Sequence, residues 1–240
     1  MRLKIQIAPI TSQKIVLPLG YNSILQGFLY SLFSKELADE LHTRGFLYEK
    51  RGFKLFTFSK LIGKGFKIID KTIYFSPPVT LYFASAVEKI TYDLVQSLIK
   101  RRGLCLGENR VSLISVKVLN PPTFEKSGIY QTLSPISVYS TKDKKRFFTP
   151  KDDEFERLIK ENIRKKYMIL TGKLLEEFDF IIRPIGRYRQ AFVRYKGGVK
   201  EGTEGKFFIE CEPAVMGKIY DTGIGANNSA GFGMIRSFDA

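Results

Sequence analysis

The predicted strands and helices follow the same order on both sides of a break at Asn120-Pro121-Pro122. Before it, the hydrophobic pattern predicts a strand, a helix, a group of strand-like stretches, a helix and a strand, with one extra short helix inserted early. The last strand ends at the break because two adjacent prolines cannot continue its hydrogen-bond ladder, and after the break the order begins again. This β-α-β-β-α-β order is that of the split βαβ, or ferredoxin-like, unit. The sequence therefore predicts an α+β chain of two tandem ferredoxin-like (RRM-like) domains, at 1–120 and 128–240, joined by a linker at 121–127.

Hydrophobic spacing gives the expected bounds of the elements. The first strand, at 2–8, alternates Leu3, Ile5 and Ile7 on one face. Asn22-Ser23 is interpreted as the N-cap pair of the first helix, and Ser34 as the cap of the inserted one. The other strands are expected at 54–59, 66–70, 81–85, 110–119, 128–140, 145–148, 177–183, 187–196, 205–212 and 232–238, and the helices at 24–33, 35–44, 87–100, 150–170 and 214–220.

Composition narrows the class of protein. The chain has 240 residues, 44% of them hydrophobic, and can bury a core without metal or disulfides. No stretch approaches the about 18 apolar residues of a transmembrane helix, and residues 1–7 lack the apolar block of a signal peptide. Cys105 and Cys211 lie far apart and form no C-x-x-C pair. We therefore expect a cytoplasmic protein with reduced thiols and no membrane contact.

Charge gives the first functional indication. The chain carries 39 Lys and Arg against 24 Asp and Glu, a formal net charge of +15. Such an excess favours a polyanionic partner: nucleic acid, a phosphorylated substrate or an acidic lipid surface. A basic proteome or the Lys-rich surface of a thermophilic protein gives the same composition, so charge by itself does not choose.

The densest basic stretches lie in the second half, at 142–146 and 183–200. The second of these also contains three aromatic residues and no acidic ones. Basic groups interleaved with aromatics suit single-stranded RNA or DNA, because cations meet phosphates and rings stack on bases. A solvated strand face is the alternative interpretation. The residues predicted to contact RNA through these stretches are Lys142, Lys144, Lys145, Arg187 and Arg189.

A glycine-rich string at 223–233, GIGANNSAGFG, is the most distinctive feature of the chain. It is not a dinucleotide fingerprint, because Asn228 stands where the third glycine belongs, and the chain has no P-loop. Glycines allow positive φ and close backbone approach, which leaves N–H groups able to face phosphates. A tight turn before the last strand is the structural alternative. The RNA contacts predicted here are Gly223, Gly225, Asn228, Ser229, Gly231 and Gly233.

The inventory of catalytic side chains is short. His42 is the only histidine, so there is no His/Cys cluster for zinc. Asp152, Asp153 and Glu154 fit the first turn of a helix, where carboxylates complement the macrodipole, better than a two-metal site. We therefore predict no metal and no cofactor. Cleavage of RNA by its own 2′-OH needs only a proton acceptor, a proton donor and a cation.

Three residues can supply these roles. Tyr30 is predicted to face away from the apolar stripe of the first helix, as a surface aromatic or a site residue. His42 ends the second helix, and imidazole is the side chain that changes charge near neutral pH. Lys54 is predicted to share a strand face with Phe56 and Phe58, over which it could simply lie. From spacing alone, a structural role is open for each of the three.

The pattern G-h-G-x5-G-h-G at 223–233, just before a final strand, resembles the signature of the Cas six family. These are CRISPR-associated endoribonucleases that cut repeat RNA into guide units. The resemblance covers the whole chain: its basic character, its tandem halves, its first strand and helix, and its tail. It implies an RNA-cleaving enzyme that binds along the basic face shared by the two halves.

The resemblance also bears on the catalytic residues. Some archaeal members are similar in having a tyrosine on the first helix, a histidine after a short second helix and a lysine in a G-x-K-L-F-T motif. These correspond to Tyr30, His42, and Lys54 in Gly52-Phe53-Lys54-Leu55-Phe56-Thr57. An added segment at 46–51 brings Lys50 and Arg51 near His42, which leaves the identity of the cation open. The implied roles are His42 as the main acid–base, Tyr30 in 2′-OH activation or phosphate positioning, and Lys54 as the stabilising cation.

The resemblance implies CRISPR repeat RNA as the partner, either single-stranded or in a weak hairpin. Proteins of a CRISPR effector complex are a second implied partner, and the chain is expected as a monomer or a homodimer. The first alternative is a non-catalytic protein of the same fold that holds guide or repeat RNA. A non-CRISPR RNA-binding protein with ferredoxin-like domains is the second.

Overall fold

The computed structural model describes residues 1–101, 103–140 and 146–238. None of the helices in these ranges is long and apolar enough to cross a membrane. The strands and helices, in chain order, are β1 (Arg2–Pro9), β2 (Ile15–Pro18), α1 (Asn22–Leu32), α2 (Lys35–Thr43), β3 (Phe46–Tyr48), β4 (Arg51–Phe53), β5 (Phe56–Phe58), β6 (Gly65–Ile69), β7 (Thr72–Ser76), β8 (Val79–Ser85), α3 (Glu88–Lys100), β9 (Leu104–Leu106), β10 (Asn109–Leu119), β11 (Ser127–Thr132), α4 (Glu154–Thr171), β12 (Phe180–Tyr195), β13 (Gly198–Cys211), α5 (Pro213–Thr222) and β14 (Ile235–Ser237).

The first half forms an antiparallel sheet in the order β5-β8-β1-β10-β9. Its four main strands, β5-β8-β1-β10, follow the ferredoxin-like order, with α1 and α3 as the crossing helices. Alternation along β1 buries Leu3, Ile5 and Ile7, each at most 1% exposed. These side chains pack with the apolar faces of α1 and α3 into one core.

The second half repeats this arrangement. Its sheet has the order β12-β13-β11-β14, and α4 and α5 connect the strands in the same way as α1 and α3. The helices and the sheet enclose a second core that includes Phe155, Ile159, Phe207 and Ile209. The tandem ferredoxin-like fold is therefore confirmed. The boundaries at 1–120, 121–127 and 128–240 stay a prediction.

Met1 and the first residue of β1, Arg2, connect the two halves. The guanidinium of Arg2 donates to the carbonyl oxygens of Ile235 and Tyr220, both at 2.6 Å, and lies 3.6 Å from the centre of the Tyr220 ring. The Met1 ammonium donates to the carboxylate of Asp221 at 2.7 Å. These contacts hold β1 of the first sheet against β14 and α5 of the second.

A long β-hairpin replaces three of the shorter predicted strands. The strands expected at 177–183 and 187–196 are the single strand β12, interrupted by an irregularity between Ile185 and Arg189, and β13 begins at Gly198 rather than 205. Lys196 and Gly197 both have positive φ, 47° and 79°, and form the two-residue turn. Two-residue hairpin turns of this kind favour Asn-Gly or Asp-Gly, so Lys-Gly predicts a hairpin less strongly.

Three other expectations need correction. The helix α1 begins at Asn22 with Tyr21 at the N-cap, so the Asn22-Ser23 cap is wrong. The strand predicted at 128–140 ends at Thr132, and only isolated bridges follow, among them Tyr139 with Phe147. Apart from β6, the strands of the small sheets β2-β7-β6 and β3-β4 were missed, because all five of these strands have only three to five residues.

Candidate active site

Tyr30, His42 and Lys54 meet in one cavity of about 360 Å³, here called the Tyr30 cavity. They arrive from three separate places: α1, the last turn of α2, and the segment between β4 and β5. The structure therefore brings together the three residues that the sequence singled out. The rest of the lining consists of Ser23, Gln26, Gly27, Lys196 and Ser229.

Tyr30 is half-buried rather than turned away from the core. Its ring centre lies 5.7 Å from that of Phe33 and 6.1 Å from that of Phe56, because α1 packs with this edge over β5. The predicted outward orientation is therefore wrong in part. Burial, with a smaller contribution from Tyr195, raises the pKa of Tyr30 to about 12. The phenol keeps its proton at neutral pH and can act as a hydrogen-bond donor.

His42 is exposed on the last turn of α2, as expected. The chain turns at Gly45, with φ of +64°, and runs directly into β3. The His42 ring stands edge-on to Tyr30, with 6.5 Å between the ring centres. The imidazole is therefore solvent-accessible and next to a phenol, which suits a group that exchanges protons with a bound substrate.

Lys54 lies beside His42, and its ammonium donates to the His42 carbonyl oxygen at 3.3 Å. It does not share a strand face with Phe56, because Leu55 has a φ of +53° and β5 starts only at Phe56. Partial burial lowers the pKa of Lys54. Lys50 lies in the turn of the β3-β4 hairpin, four residues or about 13 Å of strand from Lys54. Of Lys50 and Lys54, only Lys54 lines the cavity.

The glycines of the glycine-rich loop (223–233) lie where its backbone packs closely against both halves. Gly223, Gly225, Gly231 and Gly233 are buried and have positive φ, between 70° and 84°. A Cβ on Gly231 would lie 2.6 Å from the Phe58 ring, and one on Gly233 would lie 2.0 Å from the Ile224 carbonyl oxygen. Only glycine fits these positions, since both the conformation and the space exclude a side chain.

Several backbone N–H groups of the glycine-rich loop already donate to carbonyl oxygens of the protein itself. Those of Ile224, Ala226 and Gly233 donate to Gly233, Ser137 and Pro135, respectively. They are not left open for phosphates in the way that the sequence led us to expect. The RNA contacts of Gly223, Gly225, Asn228, Ser229, Gly231 and Gly233 stay a prediction; of these, only Ser229 lines the Tyr30 cavity.

Lys166 of α4 holds the conformation of this loop through three hydrogen bonds. Its buried ammonium donates to the carbonyl oxygens of Gly223 and Gly225 at 2.7 and 3.2 Å, and to Asn228 Oδ1 at 2.7 Å. The Asn228 amide then donates to Ile224 and Phe232, both at 3.1 Å. A lysine in the middle of a helix gave no sequence signal for this role.

Burial, helped by the nearby charge of Arg51, lowers the pKa of Lys166 to about 7. Between pH 7 and the ordinary lysine value, the unfolded chain binds a proton that the folded chain lacks, so stability rises with pH in this window. We expect the free energy of unfolding to be about 1.4 kcal/mol higher at pH 8 than at pH 6, as measured with urea.

The matched variants Lys166→Met and Lys160→Met test this assignment on one helix. Lys160 instead lies 5.2 Å from the Phe178 ring. Lys166→Met should remove the rise between pH 6 and 8, and Lys160→Met should keep it. An unchanged rise in Lys166→Met contradicts the assignment.

Two residues that join the cavity to its surroundings were missed. The amide of Gln26, on α1, donates to the carbonyl oxygen of Ser229 at 2.7 Å and accepts from the Tyr195 hydroxyl. Lys196, at the tip of the β12-β13 hairpin, lines the cavity itself. Only the basic and aromatic character of 183–200 pointed toward this hairpin, and Gln26 gave no signal.

The residues predicted to bind RNA along the basic stretches lie in different settings. Arg187 is exposed on β12. Arg189 pairs with Glu204, which also binds Lys60 at 2.7 Å, so its charge is partly neutralised. The register of β12 shifts between Ile185 and Arg189, so simple strand alternation does not determine on which face Arg187 lies relative to Arg189. Lys142, Lys144 and Lys145 lie outside the described residues.

Comparison with known proteins identifies the family. Residues 119–237 match the family model "CRISPR associated protein Cas6, C-terminal". A CRISPR-associated endoribonuclease Cas6 of Pyrococcus furiosus is 29% identical over 98% of this chain and 89% of its own length. A second one, from Methanocaldococcus jannaschii, is 25% identical over 98% of this chain and 92% of its own length.

Solved structures agree in fold. A Cas6-related protein from P. furiosus has a TM-score of 0.85 at 23% identity, covering 100% of this chain and 98% of its own. A RAMP protein described as binding different RNA substrates has a TM-score of 0.84 at 22% identity, covering 99% of both chains.

Proposed function

The chain belongs to the Cas6 family of CRISPR-associated proteins, and from this we propose that it is a cytoplasmic endoribonuclease that cleaves CRISPR repeat RNA to make guide RNAs. The observation that carries the proposal is the convergence of Tyr30, His42 and Lys54 on one open cavity. The relatives named as endoribonucleases, which match this chain over nearly their whole length, support the same activity.

The reaction uses the substrate's own 2′-OH as the nucleophile. The oxygen attacks the adjacent phosphorus, its proton is removed, and the 5′ oxygen of the next nucleotide leaves with a proton. The products are a 2′,3′-cyclic phosphate and a 5′-OH. The protein must supply proton transfer and stabilise the additional negative charge on the phosphorus oxygens.

The three side chains divide these tasks. His42, exposed beside the cavity, exchanges protons with the reacting oxygens. Lys54 supplies the cation, and its partial burial strengthens its field by excluding water. Because the pKa of Tyr30 is raised to about 12, the phenol donates a hydrogen bond to the phosphate and does not accept the 2′-OH proton. This favours the positioning role for Tyr30.

This chemistry requires no metal ion. Its charge stabilisation comes from Lys54 and from Lys196, which lines the same cavity. In the ranges that the structure describes, no three His, Cys, Asp or Glu side chains are grouped so that they could hold a metal. The donor set available at the site therefore suits acid–base catalysis with a lysine cation.

Incubation of the protein with repeat RNA in EDTA tests the proposal. We expect a single cut that leaves 5′-OH and cyclic or 3′-phosphate ends. Tight binding with no cleavage would favour the non-catalytic RNA-binding alternative. Cleavage that requires a divalent ion would contradict the mechanism.

Phosphate contacts made by the hairpin tip should appear in the salt dependence of binding. Each phosphate contact on a single strand contributes about 0.7 to the slope of log affinity against log salt. We expect Lys196→Gln to lower the slope by about this amount. Lys173→Gln, which changes an exposed lysine after the end of α4, is the control. Equal slopes for wild type and Lys196→Gln would exclude Lys196 from the RNA path.

A further inference from the structure

A polar cleft lies directly beside the Tyr30 cavity. It consists of two adjoining cavities of about 170 and 60 Å³, both lined by Arg51, Tyr139, Asn162 and Ala226, and is here called the Asn162 cleft. The larger cavity also includes Lys54 and Ser229, which line the Tyr30 cavity as well. A strand bound at Lys54 therefore has the cleft within reach of its neighbouring nucleotide.

Asn162 lines both cavities of this cleft, and its amide oxygen is unpaired. The residue is 9% exposed, and its buried Oδ1 has no hydrogen-bond partner among the described residues. Burying an unpaired polar group costs free energy, and folded proteins rarely leave one. An amide offers an acceptor and a donor side by side, the arrangement with which Asn pairs with adenine.

The walls of the cleft are suited to an unpaired base. The Arg51 guanidinium is exposed and forms no ion pair within the described ranges, and Tyr139 presents a half-buried ring. Single-stranded RNA bases stack on aromatic rings and guanidinium planes while their edges form hydrogen bonds. Both cavities are smaller than the about 300–1,000 Å³ of drug-sized ligand sites, as expected for one base.

The back of the cleft is rigid. Lys166 lines the larger cavity and donates three hydrogen bonds to the glycine-rich loop, whose residues 226–229 also line it. The Asn162 amide, one turn earlier on the same helix, is thus held on a fixed support. A fixed amide discriminates between bases better than a mobile one because its orientation is set before binding.

We propose that the Asn162 cleft is a specificity subsite that receives an unpaired adenine next to the scissile phosphate and reads its edge through the Asn162 amide. The inference rests on the proposed function, because it takes the Tyr30 cavity as the place of cleavage. It adds a readout of sequence to a site whose other residues contact phosphate and sugar.

Cleavage of an RNA pool randomised at the nucleotides flanking the cut tests this subsite. Wild type should prefer adenine at one of these positions by about 5- to 150-fold, corresponding to about 1–3 kcal/mol. Asn162→Leu should abolish the preference and melt at or above the wild-type temperature, because it removes an unpaired buried amide. Gln96→Leu, which removes an amide on α3, should keep the preference.

A substrate analogue avoids dependence on folding of the variant. Replacing the preferred adenine with a purine that lacks the 6-amino group should reduce wild-type cleavage as much as a wrong base does. Selection of the same RNA pool for binding to His42→Ala measures the base preference of the Asn162 cleft without cleavage. A chain that binds RNA but does not cut it therefore still tests the subsite. The absence of a flanking adenine preference, or its persistence in Asn162→Leu, overturns the proposal.

Discussion

Replacing His42 by alanine is expected to lower the single-turnover rate of repeat-RNA cleavage by about 10²- to 10⁴-fold, the usual contribution of a positioned proton-transfer group. RNA binding and the melting temperature should remain close to wild type, because the His42 side chain is exposed at a helix end and its one described ring contact is with Tyr30. Gel quantification of cut RNA and filter binding measure the two effects separately.

Neighbouring residues provide the controls. Thr43→Ala changes the next exposed position of α2 and should leave cleavage intact. Lys54→Met and Lys50→Met form a matched pair, and only the first should slow cleavage strongly, since only Lys54 lines the cavity. Wild-type rates for His42→Ala would remove it from the reaction, and a larger loss in Lys50→Met would identify the other lysine as the cation.

Replacing Gly233 by alanine is expected to lower the free energy of unfolding by about 3 kcal/mol or more. Its φ of +75° costs an L-residue about 1–2 kcal/mol. The added Cβ would also lie 2.0 Å from the Ile224 carbonyl oxygen, and overpacking of this kind costs about another 1–3 kcal/mol. Urea unfolding measures the loss.

The control is Gly65→Ala on β6, where φ is not positive and a Cβ meets nothing within 4 Å. It should change stability little. Gly233→Ala should also slow cleavage, because the glycine-rich loop carries Ser229 into the Tyr30 cavity. A Gly233→Ala protein as stable as Gly65→Ala would show that the loop tolerates a side chain and that the described packing is wrong.

Most of the fold followed from local periodicity. The alternation of Leu3, Ile5 and Ile7 and the helical spacing from Ile24 to Phe33 correctly predicted β1 and α1, because each element buries one face against a common core. The order of these elements then fixed the tandem ferredoxin-like topology. Short strands such as β2 escaped, since four residues contain too little pattern to distinguish a strand from a loop.

Contacts across the chain could not be read from the sequence. The sequence predicts Asn22 as part of a helix cap, yet its amide donates to the carbonyl oxygens of Ala230 and Gly231, at 3.0 and 3.3 Å. Lys166 and Gln26 likewise act on residues more than 50 positions away. Propensity and spacing describe neighbours along one element, so partners brought together by the tertiary fold leave no local signal.

The candidate site shows the same division. Tyr30, His42 and Lys54 were found from residue chemistry combined with a family resemblance, and the structure places them in one cavity. Lys196 enters it only because the turn at Lys196-Gly197 folds β12 and β13 into a long hairpin that reaches α1. The sequence predicts phosphate contacts for the glycines, whereas in the structure they allow close packing of the loop: Gly223 and Gly231 against the first half, and Gly225 and Gly233 within the second.

A repeat RNA with a single 2′-deoxy nucleotide on the 5′ side of the cut tests the central claim most directly. The proposed mechanism takes its nucleophile from that 2′-OH and needs no metal ion. In EDTA, the all-ribose RNA should be cut to a 5′-OH product, and the 2′-deoxy RNA should bind with similar affinity and remain intact. Cleavage of the 2′-deoxy RNA at the same position would contradict the mechanism.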